Sequence, residues 1–126
     1  MRTPCGRNCG ANGWRAPRPA PCATRLFLQY GTTAVRDYCM ERGYDRVFAQ
    51  AGARILQPSC GACANCGAGS SVEEGQVTVS AINRNFPGRS GPGQVWLASP
   101  ATVMASALAG ELFSFEGLLQ RAFRPP

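Results

Sequence analysis

The segment from residue 57 to residue 75 most constrains how this chain can fold. It reads QPSCGACANCGAGSSVEEG and is dominated by glycine, alanine and serine around three cysteines. Such small residues offer little apolar area, so the segment cannot serve as a core. They do let the backbone approach another group closely and donate N–H groups to it. The segment therefore predicts an irregular loop built around a bound group.

The cysteines of this segment have the spacing of metal ligands. Cys60 and Cys63 form a CxxC pair, in which a tight turn brings two thiolates to one metal. Cys66 extends the motif to CxxCxxC, and it is either a third ligand or a small residue lining the loop. The alternatives are packed, reduced thiols and a redox pair, although the motif does not open the amphipathic helix that a redox pair favours. Zinc would need a fourth ligand, from Cys39 or from the cysteines near the N-terminus.

Composition excludes several classes of function. The chain has 126 residues, enough for one domain, and no apolar run long enough to span a membrane. It contains no histidine, which removes the commonest general base and any Ser–His–Asp arrangement within this chain. Seven cysteines without a secretory signal favour metal ligands or buried thiols over disulfides, and we expect a cytoplasmic protein.

The positive charge is concentrated at the N-terminus. All 13 basic residues are arginine, and the first 25 residues hold five of them and no acid, while the remainder is nearly neutral. An arginine-rich leader binds polyanions only weakly and without sequence preference, so we expect no specific nucleic-acid partner. Lacking periodicity, residues 1–24 are predicted to be a disordered leader before an α/β domain at 25–120 and a tail at 121–126.

Apolar periodicity and helix caps predict alternating strands and helices. Strands are expected where short apolar runs are bounded by glycine or proline, and helices where a capping residue precedes apolar residues at helical spacing. Ser99 followed by Pro100 is such a helix start. This order indicates an α/β layer structure. The predicted strands are 25–30, 53–56, 76–82 and 95–98, and the predicted helices are 34–43, 44–51 and 100–110.

A second glycine-rich loop, NRNFPGRSGPG at residues 83–93, carries two arginines. Arg84 and Arg89 are five residues apart and are separated by a Pro-Gly pair, which predicts a turn that points both side chains inward. Paired guanidinium groups are suited to bidentate capture of carboxylates. The loop follows a strand that begins just after the cysteine segment, so both loops are candidates for one site.

Three motifs together resemble a known family. PSCGAC, INRNFPGR and LASPATVMASALAG, in this order and spacing, are similar to the large subunit of the aconitase and 3-isopropylmalate dehydratase family. The resemblance covers about residues 27–113. It implies a three-layer α/β/α sandwich and a [4Fe–4S] cluster held by three cysteines, whose open iron acts as a Lewis acid. The implied reaction is a dehydration and rehydration of a hydroxy di- or tricarboxylate.

The resemblance also implies roles for individual residues. Cys60 and Cys63 match two cluster ligands, Asn83 matches an asparagine near the cluster, and Arg84 and Arg89 match arginines that bind substrate carboxylates. Ser59 would help to shape the cluster pocket.

Parts of the family pattern are absent from this sequence. The upstream segment with the third cluster cysteine, the catalytic histidine and acids, and the swivelling domain have no counterpart here. No catalytic residue is therefore assigned, and a separate small subunit is an expected partner. We expect a partial domain that is inactive alone. The alternatives are a non-catalytic Fe–S or zinc-binding module and a non-functional fragment with aggregation-prone sheet edges.

Overall fold

The computed structural model describes residues 24–122. The predicted leader, except for Thr24, and the last four residues of the predicted tail lie outside this range. The elements are strands β1 (Leu26–Gln29), β2 (Ala53–Leu56), β3 (Val77–Ser80) and β4 (Gln94–Leu97), and helices α1 (Thr33–Glu41), α2 (Tyr44–Gln50), α3 (Pro100–Ala109) and α4 (Phe115–Ala122).

The first half of the described chain is a strand–helix–helix–strand unit. β1 and β2 pair in parallel, with Leu26 opposite Ala53. The Oγ1 atom of Thr32 caps α1 by accepting from the Val35 N–H at 3.2 Å. Gly43 then takes a left-handed φ of 71°, which ends α1 and lets α2 start at the next residue. α2 packs against β2, so the two helices form the crossover that a parallel pair requires.

The second half joins two parallel strands without a helix. β3 pairs with β4 in a second two-stranded parallel sheet, with Val77 opposite Gln94. The connection between them contains the glycine-rich loop of residues 83–93, called the arginine loop below. Residues that would otherwise form a crossover helix are therefore available for a site. α3 follows β4 and packs against β3. Its start is capped by Ser99, whose Oγ accepts from the Thr102 N–H at 3.2 Å.

The elements confirm the α/β class and correct two details. A short 3₁₀ turn, Ala62–Ala64, lies inside the segment that was predicted to be wholly irregular. The helix α4 was not predicted. Its start is marked by Ser114, whose Oγ accepts from the Gly117 N–H at 3.0 Å, and its glycine at the third position masks the helical signal.

Little of the described chain is buried. The buried apolar side chains within residues 24–122 are one leucine, one tyrosine and three alanines. Both faces of β4 remain open, because Trp96 and Leu97 point to opposite faces and are 52% and 54% exposed. Parallel sheets are normally covered on both faces, so these strands have apolar surface that the described residues leave uncovered. No helix in this range is both long and apolar enough to cross a membrane.

Candidate functional site

The segment of residues 57–75, called the cysteine loop below, is anchored to the carboxyl end of β1. The last residue of that strand, Gln29, donates from Nε2 to the backbone oxygens of Gln57 and Ser59, at 2.9 and 2.8 Å. These bonds hold the chain immediately before Cys60. Gly61 is buried against the same side chain, and a Cβ there would lie 2.9 Å from the Oε1 atom of Gln29. The glycine of the CxxC pair therefore permits the close approach of the loop to the strand.

A tight turn sets the geometry of the three cysteines. The carbonyl of Gly61 accepts from the N–H groups of Ala64 and Cys66, at 2.9 and 3.1 Å. The Cys66 thiol also donates to this carbonyl, at 3.4 Å. Cys66 is thus turned back onto the loop's own backbone. Cys63 is half-buried, whereas Cys60 is exposed.

The arginine loop contacts the cysteine loop directly. The Nε atom of Arg89 donates to the Cys63 carbonyl at 2.7 Å, and its Nη1 atom donates to the Arg84 carbonyl. The guanidinium also lies 5.8 Å from the centre of the Phe86 ring. Two loop residues that are 26 positions apart in sequence therefore meet through one side chain.

A serine clasp joins the ends of the same two loops. The backbone N–H and the Oγ of Ser71 both donate to the Ser90 carbonyl, at 2.9 and 3.2 Å, and the Oγ accepts from the Gly93 N–H at 2.8 Å. Ser71 and Ser90 are 6% and 2% exposed. Asn85 adds a contact from its Nδ2 atom to the Ser90 Oγ at 3.2 Å. We define Ser71, Ser90, Gly91 and Gly93 as the clasp.

The glycines of the clasp cannot be replaced without displacing backbone. Gly91 has a left-handed φ of 101°, and a Cβ there would overlap the carbonyl oxygen of Ser71. A Cβ at Gly93 would lie 2.6 Å from the Gln76 carbonyl oxygen, just before β3. The glycines that follow Arg89 thus let the arginine loop pack against the end of the cysteine loop.

The two other predicted site residues are open to solvent. Asn83 and Arg84 are exposed, and within residues 24–122 their side chains make no hydrogen bond. The only ion pair in this range joins Arg36 to Asp37, so no carboxylate there neutralises Arg84 or Arg89. Uncompensated guanidinium groups favour an anionic ligand.

The thiols are a partial donor set for a metal centre. Soft thiolate ligands in a loop of small residues suit iron–sulfur clusters, because free backbone N–H groups can bond to the cluster sulfurs. Within residues 24–122, however, no three Cys, Asp or Glu side chains come together in a group that could hold a metal ion. Cys60 and Cys63 have the donor chemistry of two cluster ligands, and the described residues bring no third ligand beside them.

Comparisons with known proteins place these two loops in a family. The family model described as Aconitase family (aconitate hydratase) matches residues 15–110, which contain both loops and the clasp. The chain belongs to the aconitase family. Among curated relatives, a 3-isopropylmalate dehydratase large subunit 2 of Archaeoglobus fulgidus is 39% identical over 92 residues, covering 71% of this chain and 20% of the relative. The Pyrococcus furiosus protein of that name is 42% identical over 99 residues, covering 77% and 26%.

This aconitase-family chain spans about a fifth to a quarter of the length of these curated relatives. The matched region holds every predicted site residue, and it also holds contacts that the sequence did not reveal. Gln29 was a detectable candidate, because it is a polar residue at the end of an apolar strand. Ser71 and Ser90 gave no signal, since serine is common in any loop.

A second group of polar residues lies around Tyr30, the residue that follows β1. Tyr30 is buried, and neither its hydroxyl nor the Oδ1 atom of Asp45 has a hydrogen-bond partner within the described chain. Burial raises the pKa of Tyr30 above its ordinary value of 10.0, and the nearby Cys39 and Asp45 raise it further. These surroundings therefore favour the neutral hydroxyl over the phenolate.

Proposed function

We propose that this chain supplies part of the active site of an iron–sulfur hydro-lyase that acts on a hydroxy di- or tricarboxylate. The observation that carries the proposal is the hydrogen bond from Arg89 to the Cys63 carbonyl, because it joins the metal-ligand loop to the arginine loop. Family membership supports the reaction class. Two relatives bear the name 3-isopropylmalate dehydratase large subunit, which supports a small-molecule hydroxy acid as substrate and a small subunit as partner.

Under this proposal, Cys60 and Cys63 would hold a [4Fe–4S] cluster together with a third cysteine that the described residues do not supply. Such a cluster supplies a Lewis-acidic iron that polarises the substrate hydroxyl. The acid and base groups also come from outside this chain's described residues. The two parallel strand pairs would be parts of a three-layer α/β/α sandwich, which agrees with the uncovered faces of β4.

The chain's own contribution is to bind and orient the substrate. Arg84 offers an unoccupied guanidinium for a bidentate carboxylate contact, and Arg89 offers the N–H groups that its backbone contacts leave free. Asn83 immediately precedes Arg84 and can donate from its exposed side-chain amide. Fixed cations that hold a carboxylate place the remainder of the substrate relative to Cys60 and Cys63.

Anaerobic reconstitution of the full chain with iron and sulfide tests the cluster assignment. Iron, acid-labile sulfide and broad visible absorption should be lower in Cys60→Ser and Cys63→Ser than in the unaltered chain. Stoichiometric zinc without sulfide would instead support a non-catalytic zinc-binding module. Cluster uptake that is unaffected by either substitution would contradict the proposal.

Carboxylate binding is tested separately, by calorimetric titration of the chain with 3-isopropylmalate or citrate. Arg84→Gln should weaken the binding, whereas Arg54→Gln, an exposed change on β2, should not. Equal binding by the two variants would contradict the proposed role of Arg84. The chain alone should show no turnover of either acid, because the family's catalytic histidine and acids are expected to have no counterpart in its sequence. Activity of the isolated chain would show that such counterparts lie within it.

A further inference from the structure

Arg84 and Arg89 occupy different environments, although the sequence presents them as a pair. Arg84 is exposed, and its side chain makes no hydrogen bond within residues 24–122. Arg89 is half-buried and donates to one backbone carbonyl in each loop. Two arginines with the same task would be expected to have similar freedom to meet a ligand.

The contacts of Arg89 are suited to holding backbone in place. A guanidinium presents its N–H groups in a fixed, planar fork, so two carbonyls that bond to it are fixed relative to each other. One of these carbonyls belongs to Cys63, inside the 3₁₀ turn, and the other belongs to Arg84. The guanidinium also lies over the Phe86 ring, 5.8 Å from its centre, which adds a cation–π contact within the same loop.

The carbonyl of Cys63 is the point at which such a contact has most effect. The carbonyls of Gly61 and Ala62, at the start of the turn, accept from backbone N–H groups that follow within the same loop. The Cys63 carbonyl accepts from Arg89, a residue 26 positions further along the chain. Arg89 is therefore the contact from the arginine loop that fixes the orientation of the turn on which both Cys60 and Cys63 depend.

We infer that Arg89, besides the N–H groups that it leaves free for a carboxylate, is a positioning residue that locks the cysteine turn to the arginine loop, a role that Arg84 does not share. This inference deepens the proposed function by assigning different roles to the two arginines. It depends only on the folded chain, so it can be tested without metal, substrate or turnover. A chain that takes up no iron could still confirm it.

The most direct test observes the Cys63 carbonyl itself. The sequence contains two Cys-Ala pairs, Cys63–Ala64 and Cys22–Ala23. Labelling cysteine with ¹³C at its carbonyl and alanine with ¹⁵N therefore gives two carbonyl-to-amide NMR signals, and the second is an internal reference. In Arg89→Gln the Cys63 signal should shift upfield, because the carbonyl loses a charge-assisted hydrogen bond. An unchanged Cys63 signal would overturn the inference.

Arg84→Gln is the matched control. It also removes one arginine from the same loop, but it leaves the Arg84 carbonyl, and hence the Arg89 contact, in place. The Cys63 signal should not move in this variant. An equal shift in both variants would show that loop charge alone is responsible, and the inference would fail.

Amide hydrogen exchange then distinguishes a local lock from general stabilisation. In Arg89→Gln the turn amides of Ala64 and Cys66 should exchange about tenfold faster, because the turn opens more easily. The amides of Val103 and Gly110, hydrogen-bonded at the two ends of α3, should keep their rates. A similar acceleration in α3 would mean that Arg89 supports the whole fold, which would contradict a local role.

Arg89→Lys provides a second variant that retains the charge. An ammonium group lacks the planar fork, so it should not hold both carbonyls at once, and protection of the turn should be restored only in part. Full recovery of the turn's protection by lysine would refute the two-carbonyl lock.

Discussion

Replacing Gly91 with alanine gives the sharpest test of how the two loops are held together. The new Cβ would overlap the Ser71 carbonyl oxygen and lie 2.8 Å from the carbonyl carbon, and both atoms belong to buried backbone. The residue would also have to keep a φ of 101°. A left-handed backbone costs an L-residue about 1–2 kcal/mol, and overpacking adds about 1–3 kcal/mol.

These two contributions give a loss of about 3 kcal/mol in the free energy of unfolding, a large part of what a small domain has. At a urea slope of about 2 kcal/mol/M, this loss lowers the unfolding midpoint by about 1.5 M. Circular dichroism of the full chain in increasing urea measures the midpoint, and hydrogen exchange at the Ser71 amide shows whether the clasp itself opens.

Three control glycines separate the two contributions. Gly88 has a φ of 86°, and a Cβ added to it would meet no atom within 4 Å, so Gly88→Ala carries the backbone cost alone. Gly93 has no left-handed φ but a close contact with Gln76, so Gly93→Ala carries the packing cost alone. Gly31→Ala carries neither and should be neutral or slightly stabilising. If Gly91→Ala proved no less stable than Gly88→Ala, the close packing of Gly91 against Ser71 would be refuted.

Three further predictions concern other parts of the chain. Cys66→Ser should leave the iron content after reconstitution unchanged, because its thiol bonds to the loop's own backbone, whereas a loss as large as that of Cys60→Ser would support a ligand role. Ser106→Ala should lower the urea midpoint by an amount corresponding to about 1–3 kcal/mol, since the Ser106 Oγ bonds to both the N–H and the carbonyl of Phe113, and an unchanged midpoint would contradict this. The raised pKa of Tyr30 means that its contribution to stability is complete below pH 10 and is lost as the pH rises through the folded value. Tyr30→Phe should abolish that alkaline loss in urea titrations at increasing pH, and its persistence would assign the loss to another group.

Local patterns predicted most of the regular elements, because they depend on neighbouring residues. The caps at Thr32 and Ser99 and the left-handed glycine at position 43 are local hydrogen-bonding and steric effects, and they bound helices that the sequence predicts. β3 was predicted too long at both ends, since strand ends depend on the pairing partner. α4 was missed because the glycine at position 117 lowers its helix propensity.

The sequence by itself determined the chemistry of this chain: a cysteine pair in a loop of small residues, two arginines in a second loop, and no histidine. Residue type and spacing along the chain decide such features. The tertiary structure decided which of these groups are free and which are engaged. It showed Arg89 held on the Cys63 carbonyl, Arg84 left open, and Ser71 buried against Ser90. Hydrogen bonds between residues 19 and 26 positions apart leave no periodic trace in the sequence, so only the folded chain reveals them.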